Sequence, residues 1–218
     1  MRLSRALALY LAFAAVTSMA LAYGETSPWN LSAFSAIYGA KSAAASAVLV
    51  PLSVDDYGRA FFWIPILVAL WLTGGRYREA ADLMAASFAV SLALGIALKH
   101  LFFLPRPFAA LGVTPLVPER ASESSYPSGH ALIVAAGALS AASLPWYIAL
   151  PLWAEALLVS YGRIYVGVHW PLDVVAGWLL AAANVELVKA LPQPRRAADR
   201  ALAVLLSPIE AALRRRPG

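Results

Sequence analysis

The chain has no cysteine and only three histidines. Without cysteine there is no disulfide framework, no thiolate metal site and no cysteine nucleophile. Charge is almost as scarce: 13% of residues are Asp, Glu, Lys or Arg, against roughly a quarter in soluble domains. Hydrophobic residues make up 61%. That balance excludes an ordinary soluble domain and points to a membrane. No internal repeat stands out, and 218 residues make one domain or a little more. A net charge of +5 would suit nucleic acid, but the positions of the cations argue against such a partner.

Apolar runs divide the chain. Residues 6–23 form the first, preceded by Arg2 and Arg5. Ala20-Leu21-Ala22 resembles a signal-peptidase site, but the run exceeds a usual signal core, so a retained anchor is preferred. Residues 31–51 are too interrupted for a span and are expected to form an amphipathic helix at the interface, with Trp29 and Tyr38 near the headgroups. Residues 54–58 and 74–78 read as turns, the second basic. Further spans are expected at 60–73, 83–104, 131–144, 147–161 and 171–191. The fold class is therefore all-α, a polytopic bundle of six transmembrane helices with an interfacial helix after the first. An N-terminal anchor region (1–59), a core (60–191) and a basic tail (192–218) complete the organisation.

Charge counting orients the map. With the N-terminus inside, eleven of the seventeen Lys and Arg fall on the cytoplasmic side, among them Arg76, Arg78, Lys189, Arg195, Arg196, Arg200 and Arg214 to Arg216. The outer side holds Lys41, Arg59, Lys99, Arg106, Arg120 and Arg163. Both termini are then cytoplasmic. The tail arginines alternate with Leu and Ala, as in a helix lying on an anionic leaflet.

Chemistry gathers on the outer side. Tyr126-Pro127-Ser128-Gly129-His130 turns a polar loop into an apolar helix. Ser128 can cap the helix start, Gly129 lets an oxyanion approach the free N–H groups, and His130 adds a titratable nitrogen. Upstream are Lys99 and Arg106-Pro107; downstream are Arg163, His169 and Asp173. The order is Lys, six residues, Arg-Pro; then Pro-Ser-Gly-His; then Arg, five residues, His, three residues, Asp. These blocks resemble the type 2 phosphatidic acid phosphatase superfamily, which also contains the vanadium haloperoxidases. The resemblance spans roughly residues 60–191. One departure is Gly162, where the family usually has Ser before the third-block Arg.

A phosphate ester repels nucleophiles, so its hydrolysis needs fixed cations, a nucleophile in line and an acid for the leaving oxygen. Lys99, Arg106 and Arg163 supply the cations, with Ser128 and Gly129 at the helix start. His169 and Asp173 are four apart, so the carboxylate can orient the ring. The resemblance implies that His169 is the nucleophile, forming a phosphohistidine, and that His130 is the general acid and later activates water. The catalytic set is thus His169, His130 and Asp173.

Outer carboxylates near the motifs are Glu119, Glu123 and Asp173, too few for a metal phosphatase, so no metal and no cofactor are expected. A serine hydrolase built on Ser128 lacks a Gly-x-Ser-x-Gly elbow. His100 reads as an interfacial residue, Arg59 and Arg120 as solvated, and Glu155 as a protonated or interhelically bonded structural residue. The expected partners are the bilayer and a lipid phosphate. Arg106-Pro107-Phe108 and the stretches 117–119 and 125–127 resemble undecaprenyl-diphosphate phosphatases, favouring a polyprenyl diphosphate. Phosphatidic acid or phosphatidylglycerophosphate is the rival substrate, and a silent lipid-binding protein or transporter the rival class.

Overall fold

The computed structural model describes residues 2–54 and 58–214, all helix and loop with no strand among them. The centre of the turn expected at 54–58 and the arginines at 215 and 216 lie outside the described residues. The helices are α1 (Arg2–Tyr23), α2 (Pro28–Gly39), α3 (Ala43–Ser53), α4 (Ala60–Thr73), α5 (Gly75–Leu101), α6 (Pro107–Leu111), α7 (Gly129–Ser140), α8 (Trp146–Tyr165), α9 (Pro171–Ala190) and α10 (Pro192–Arg214).

Local chemistry explains where the boundaries differ from expectation. The stretch 31–51 is not one helix: α2 and α3 meet at 113°. Ser42 caps α3 by accepting the Ala45 N–H at 3.1 Å, while its own N–H donates to the Tyr165 hydroxyl at 3.0 Å. The break is thus fixed by a cap and by α8. The basic turn at 74–78 shrinks to Gly74, whose φ of 81° ends α4. Arg76 and Arg78 already belong to α5, where Arg78 stacks over Trp71 at 3.9 Å and pairs with Asp199 of α10 at 2.6 Å. α5 ends at Leu101 because Phe102 is extended ahead of Pro105. α8 runs on to Tyr165 and so carries Arg163.

On length and composition, α1, α5 and α9 can cross a membrane, and the bent α2–α3 pair is a possible fourth span. α4 has 14 residues and α7 has 12. At 1.5 Å per residue they reach about 21 and 18 Å, short of the roughly 30 Å hydrocarbon core. α8 is long enough, but its tryptophans, tyrosines, Pro151, Glu155 and Arg163 dilute its apolar character. Three of the six expected spans therefore meet both criteria.

α9 is the hub, flanked by α1, α5 and α7, and α7 is wedged among α5, α8 and α9. Small residues permit this closeness. A Cβ on Gly177 would meet Ser128 O at 3.0 Å and Leu132 N at 3.1 Å, so glycine there seats the start of α7 on α9. One apolar cluster, including Trp63, Trp71, Met84 and Val134, joins α4, α5, α7 and α8. Another, including Phe13, Leu132, Leu172 and Leu180, joins α1, α5, α7 and α9. Glu155 accepts the Trp63 indole N–H at 3.0 Å, an interhelical bond. Outward-facing Leu7, Leu11, Phe61, Ile64, Leu92, Ile96 and Leu157 give the bundle an apolar perimeter.

The two ends differ. Arg2 donates to the Lys189 carbonyl at 3.4 Å, and Arg78 pairs with Asp199, so the starts of α1, α5 and α10 and the end of α9 share one end. At the other end of α5 and α9, the loops at 102–128 and 166–170 converge on the motif residues.

Candidate active site

His169 sits just before α9, 2% exposed, with its ring held from both sides. Nδ1 lies 3.0 Å from Asp173 Oδ2, so it carries the proton and donates. Nε2 is then the unprotonated nitrogen, and it faces Arg106 NH1 at 3.3 Å. The backbone fixes the ring's origin: the His169 N–H donates to the Arg163 carbonyl at 3.2 Å. Burial first, then the charges of Arg106, Arg163, Lys99 and His130, hold the His169 pKa well below its ordinary 6.5. The imidazole is therefore neutral at physiological pH.

Asp173 is fully buried at the third position of α9. Its Oδ2 accepts the Trp170 N–H at 2.8 Å, capping the helix, and also the Ser125 hydroxyl and His169 Nδ1–H. One oxygen thus serves the helix start, the loop and the ring.

The cations converge from three elements. Arg106, buried and extended at φ −70° and ψ 154°, donates to Val168 O at 3.1 Å and pairs with Glu119 at 3.4 Å. Arg163, near the end of α8, donates to Ser53 O at 2.5 Å and pairs with the other oxygen of Glu119. Lys99 donates to Ser124 O at 2.6 Å, and its Cε is the nearest atom to a Cβ built on Gly129, at 4.0 Å. Ser128 caps α7 by accepting the Ala131 N–H at 3.4 Å, and its own N–H donates to Asp173 O at 3.1 Å. His130 lies buried in the first turn of α7, near enough to His169 for its charge to be felt there. All eight expected site residues thus share one end of the bundle.

Gly162 has a steric reason. A Cβ there would lie 2.7 Å from Ser53 Oγ, so glycine lets α3 close onto α8 and deliver the Ser53 carbonyl to Arg163. His100 is exposed, and Arg120 is exposed beside Glu123 at 3.5 Å.

Motif spacing missed four contributors. Glu119 was visible only as an outer carboxylate; the fold makes it the joint counter-ion of Arg106 and Arg163. Ser125 lies beside the Pro-Ser-Gly-His block, yet only the fold turns its hydroxyl to Asp173. Glu25 and Asn30 come from the N-terminal region. Asn30 Oδ1 accepts the Leu172 N–H at 3.1 Å, and its Nδ2 donates to Glu25 Oε2 at 3.0 Å. Asn30 thus ties the buried Glu25 side chain to the start of α9, where the charge of Asp173 is felt at its carboxyl. The carboxylates near the motifs are therefore not only Glu119, Glu123 and Asp173. Among the described residues, no three His, Cys, Asp or Glu side chains are grouped to hold a metal.

The family model for the PAP2 superfamily matches residues 80–197, which include every one of the motif residues. The chain belongs to the PAP2 superfamily. Within it, the chain is 42% identical over 158 residues to the undecaprenyl-diphosphatase of Sulfolobus acidocaldarius, an alignment covering 71% of this chain and 74% of the relative. Among solved PAP2 structures, LpxE of Aquifex aeolicus superposes with a TM-score of 0.66 at 27% identity, covering 75% of this chain and 96% of that one. The transmembrane PAP2-type phosphatidylglycerolphosphate phosphatase of Bacillus subtilis gives 0.67 at 23% identity over 87% and 96%, a likeness of fold. This PAP2 protein is thus an all-helical membrane protein of a phosphatase family, homologous to undecaprenyl-diphosphatases.

Proposed function

We propose that this PAP2 protein hydrolyses a polyprenyl diphosphate, or a closely related lipid phosphate, at the outer membrane face through a phosphohistidine. The observation that carries this is a buried, neutral His169 with Nδ1 tied to Asp173 and Nε2 turned to Arg106. An unprotonated imidazole ringed by Arg106, Arg163 and Lys99 suits attack on a dianion better than attack on an uncharged ester. The likeness to the undecaprenyl-diphosphatase of Sulfolobus acidocaldarius supports the diphosphate.

In this mechanism the Nε2 lone pair attacks the terminal phosphorus, and the bond to the bridging oxygen breaks. His130 gives that oxygen a proton, and the lipid product leaves. Asp173 stays ionised beside the imidazolium-like ring. His130 then takes a proton from water, whose oxygen attacks phosphorus; the P–N bond breaks and its electron pair returns to Nε2. Arg106, Arg163 and Lys99 hold the nonbridging oxygens, with the N–H groups at Gly129. Charge stabilisation comes from these side chains, so no metal is needed.

A groove of about 200 Å³ between α5 and α7 runs past Leu92, Gly95, Ile96 and Ile133 to Lys99 and Gly129. It gives a lipid tail a path from the bilayer to the phosphate site. For topology, six spans with both termini cytoplasmic require α4, α7 and α8 to cross in the company of α1, α5 and α9. The segregation of the basic chain ends from the motif loops supports that arrangement.

Purified protein should release phosphate from undecaprenyl diphosphate, with vanadate inhibiting and EDTA harmless. Acid-labile, base-stable label should appear on the wild type and vanish in His169→Ala. Faster release from phosphatidic acid or phosphatidylglycerophosphate would reassign the substrate. No release from any lipid phosphate would leave a silent binding protein. Loss with EDTA, restored by Mg²⁺, would overturn the metal-free mechanism.

A further inference from the structure

Behind the nucleophile stands a second carboxyl group, on a part of the chain that precedes the matched family region. Glu25 lies in the turn between α1 and α2 and is 3% exposed. Gly24, with φ 72°, turns the chain off the end of α1, and the Asn30 amide takes both the Glu25 carbonyl, at 2.7 Å, and Glu25 Oε2, at 3.0 Å. Asn30 is itself tied to α9 through the Leu172 N–H. The side chain is therefore held against the start of α9 by two helices, close enough to Asp173 for each carboxyl to bear on the other.

Each of the two carboxyls has one oxygen to spare. Among the described residues, Glu25 Oε1 and Asp173 Oδ1 are buried with no N–H or O–H donor in reach. Two carboxylate oxygens can bond each other only if one holds a proton. Among the described residues, Asp173 Oδ2 already accepts from Ser125, Trp170 and His169, whereas Glu25 Oε2 accepts from Asn30 alone. Three donors favour the negative charge on Asp173 and leave the proton with Glu25. We propose that Glu25 is a positioning residue, protonated at physiological pH, donating its O–H to Asp173 and so holding the carboxylate that orients and charges the nucleophilic His169.

The electrostatics agree. Burial, and then the charge of Asp173, push the Glu25 carboxyl up to about 10. The groups facing it are Asp173 from α9, Asn30 from α2 and the Tyr126 hydroxyl from the loop, which bonds Thr17 of α1 at 2.8 Å. Among the described residues, no cation is one of the groups that act on its carboxyl. With Glu25 neutral, the carboxyl pair carries one negative charge, matching the one positive charge that forms on the ring during phosphoryl transfer. Above about pH 10 a second negative charge would break the pair apart and release Asp173 from its position.

This inference rests on the phosphatase proposal for its kinetic arm, so the test has a second, activity-independent arm. Purified wild type, Glu25→Gln and Glu25→Ala are compared at pH 7 by infrared difference spectroscopy and by phosphate release from undecaprenyl diphosphate between pH 6 and 10.5. Thermal unfolding in detergent confirms that each variant is folded. Wild type minus Glu25→Gln should show the carbonyl band of a protonated carboxylic acid. Glu25→Gln keeps an N–H donor for Asp173 and should fall less than tenfold in kcat, with the alkaline limb moved or lost. Glu25→Ala should fall roughly 10- to 100-fold in kcat with KM little changed, as when a group that orients a reactive histidine's partner is removed. Absence of the carboxyl band overturns the proposal, even if no substrate is ever found. So does a folded Gln variant as slow as Ala, or an Ala variant with the wild-type rate and pH profile. If Ala fails to fold, the band and the Gln pH profile decide alone. A wild type that releases no phosphate sinks the phosphatase assignment instead, leaving the band to judge Glu25.

Discussion

Asp173→Asn isolates the charge that the proposed mechanism places behind His169. Asparagine keeps the size and can still present one oxygen to Ser125, Trp170 and His169, whereas alanine would strand those donors. Each stranded group costs about 1–3 kcal/mol, enough in sum to unfold the site. The ring is neutral at rest and positive as phosphorus is transferred, so the charge matters only along the reaction path. At 3.0 Å and an effective dielectric of about 20, a positive ring and the carboxylate attract by about 5.5 kcal/mol, or about 10⁴ in rate. The amide dipole recovers part of that, giving an expected loss of about 10³- to 10⁴-fold in the phosphorylation step. KM should barely move, because Asp173 lies on the far side of the ring from the phosphate site. The assay is rapid-quench, single-turnover formation of labelled phosphoenzyme, with unfolding followed in parallel. A variant within tenfold of wild type would refute the charge argument, and a loss confined to KM would place Asp173 among the phosphate-binding groups instead.

Arg163→Lys keeps the charge but cannot reach both Ser53 O and Glu119 with one ammonium. It should cost roughly 100-fold in kcat/KM, about one charge-assisted bond's worth, while the protein still folds; near-wild-type kinetics would mean charge alone suffices. Because the chain has no native cysteine, single Ser122→Cys and Ala197→Cys variants report on topology, and both positions are exposed. Impermeant maleimide on intact cells should label the first and spare the second, and the opposite pattern would invert the proposed orientation. The depressed pKa of His169 adds stability that is fully present above pH 6.5 and is lost as pH falls through its folded-state value. Detergent unfolding between pH 7 and 4 should therefore show an acid-side loss that shrinks in His169→Gln, and an equal loss in both would assign it elsewhere.

Much of this protein was legible in the sequence because its chemistry is local. A Ser before a Gly-His helix start, two Pro-guarded elements after Lys99 and Arg106, and a His and Asp one helical turn apart each carry their geometry in their spacing. Each block keeps that local geometry, and helix packing then gathers Lys99, Arg106, Ser128, Gly129, His130, Arg163, His169 and Asp173 at one end. Composition likewise pointed to a membrane, and apolar runs longer than strands made the helices legible. Element lengths were less legible. Gly74 and Ser42 each decide a boundary by a single φ or cap, and apolar periodicity does not register either.

What only the tertiary structure decided are the partners separated by long stretches of chain. Glu119 becomes a counter-ion because the loop brings it between arginines 13 and 44 residues away. Glu25 is brought to the start of α9 because α1 lies along α9 and Asn30 ties its side chain to the Leu172 N–H. Gly162 makes sense only once Ser53 of α3 is seen against it. Sequence spacing sets geometry within a turn or two of helix; whether two distant side chains meet depends on how whole helices pack. The pairing of the His169 ring with the Asp173 carboxylate belongs to the first kind of information, and the groups packed around them to the second.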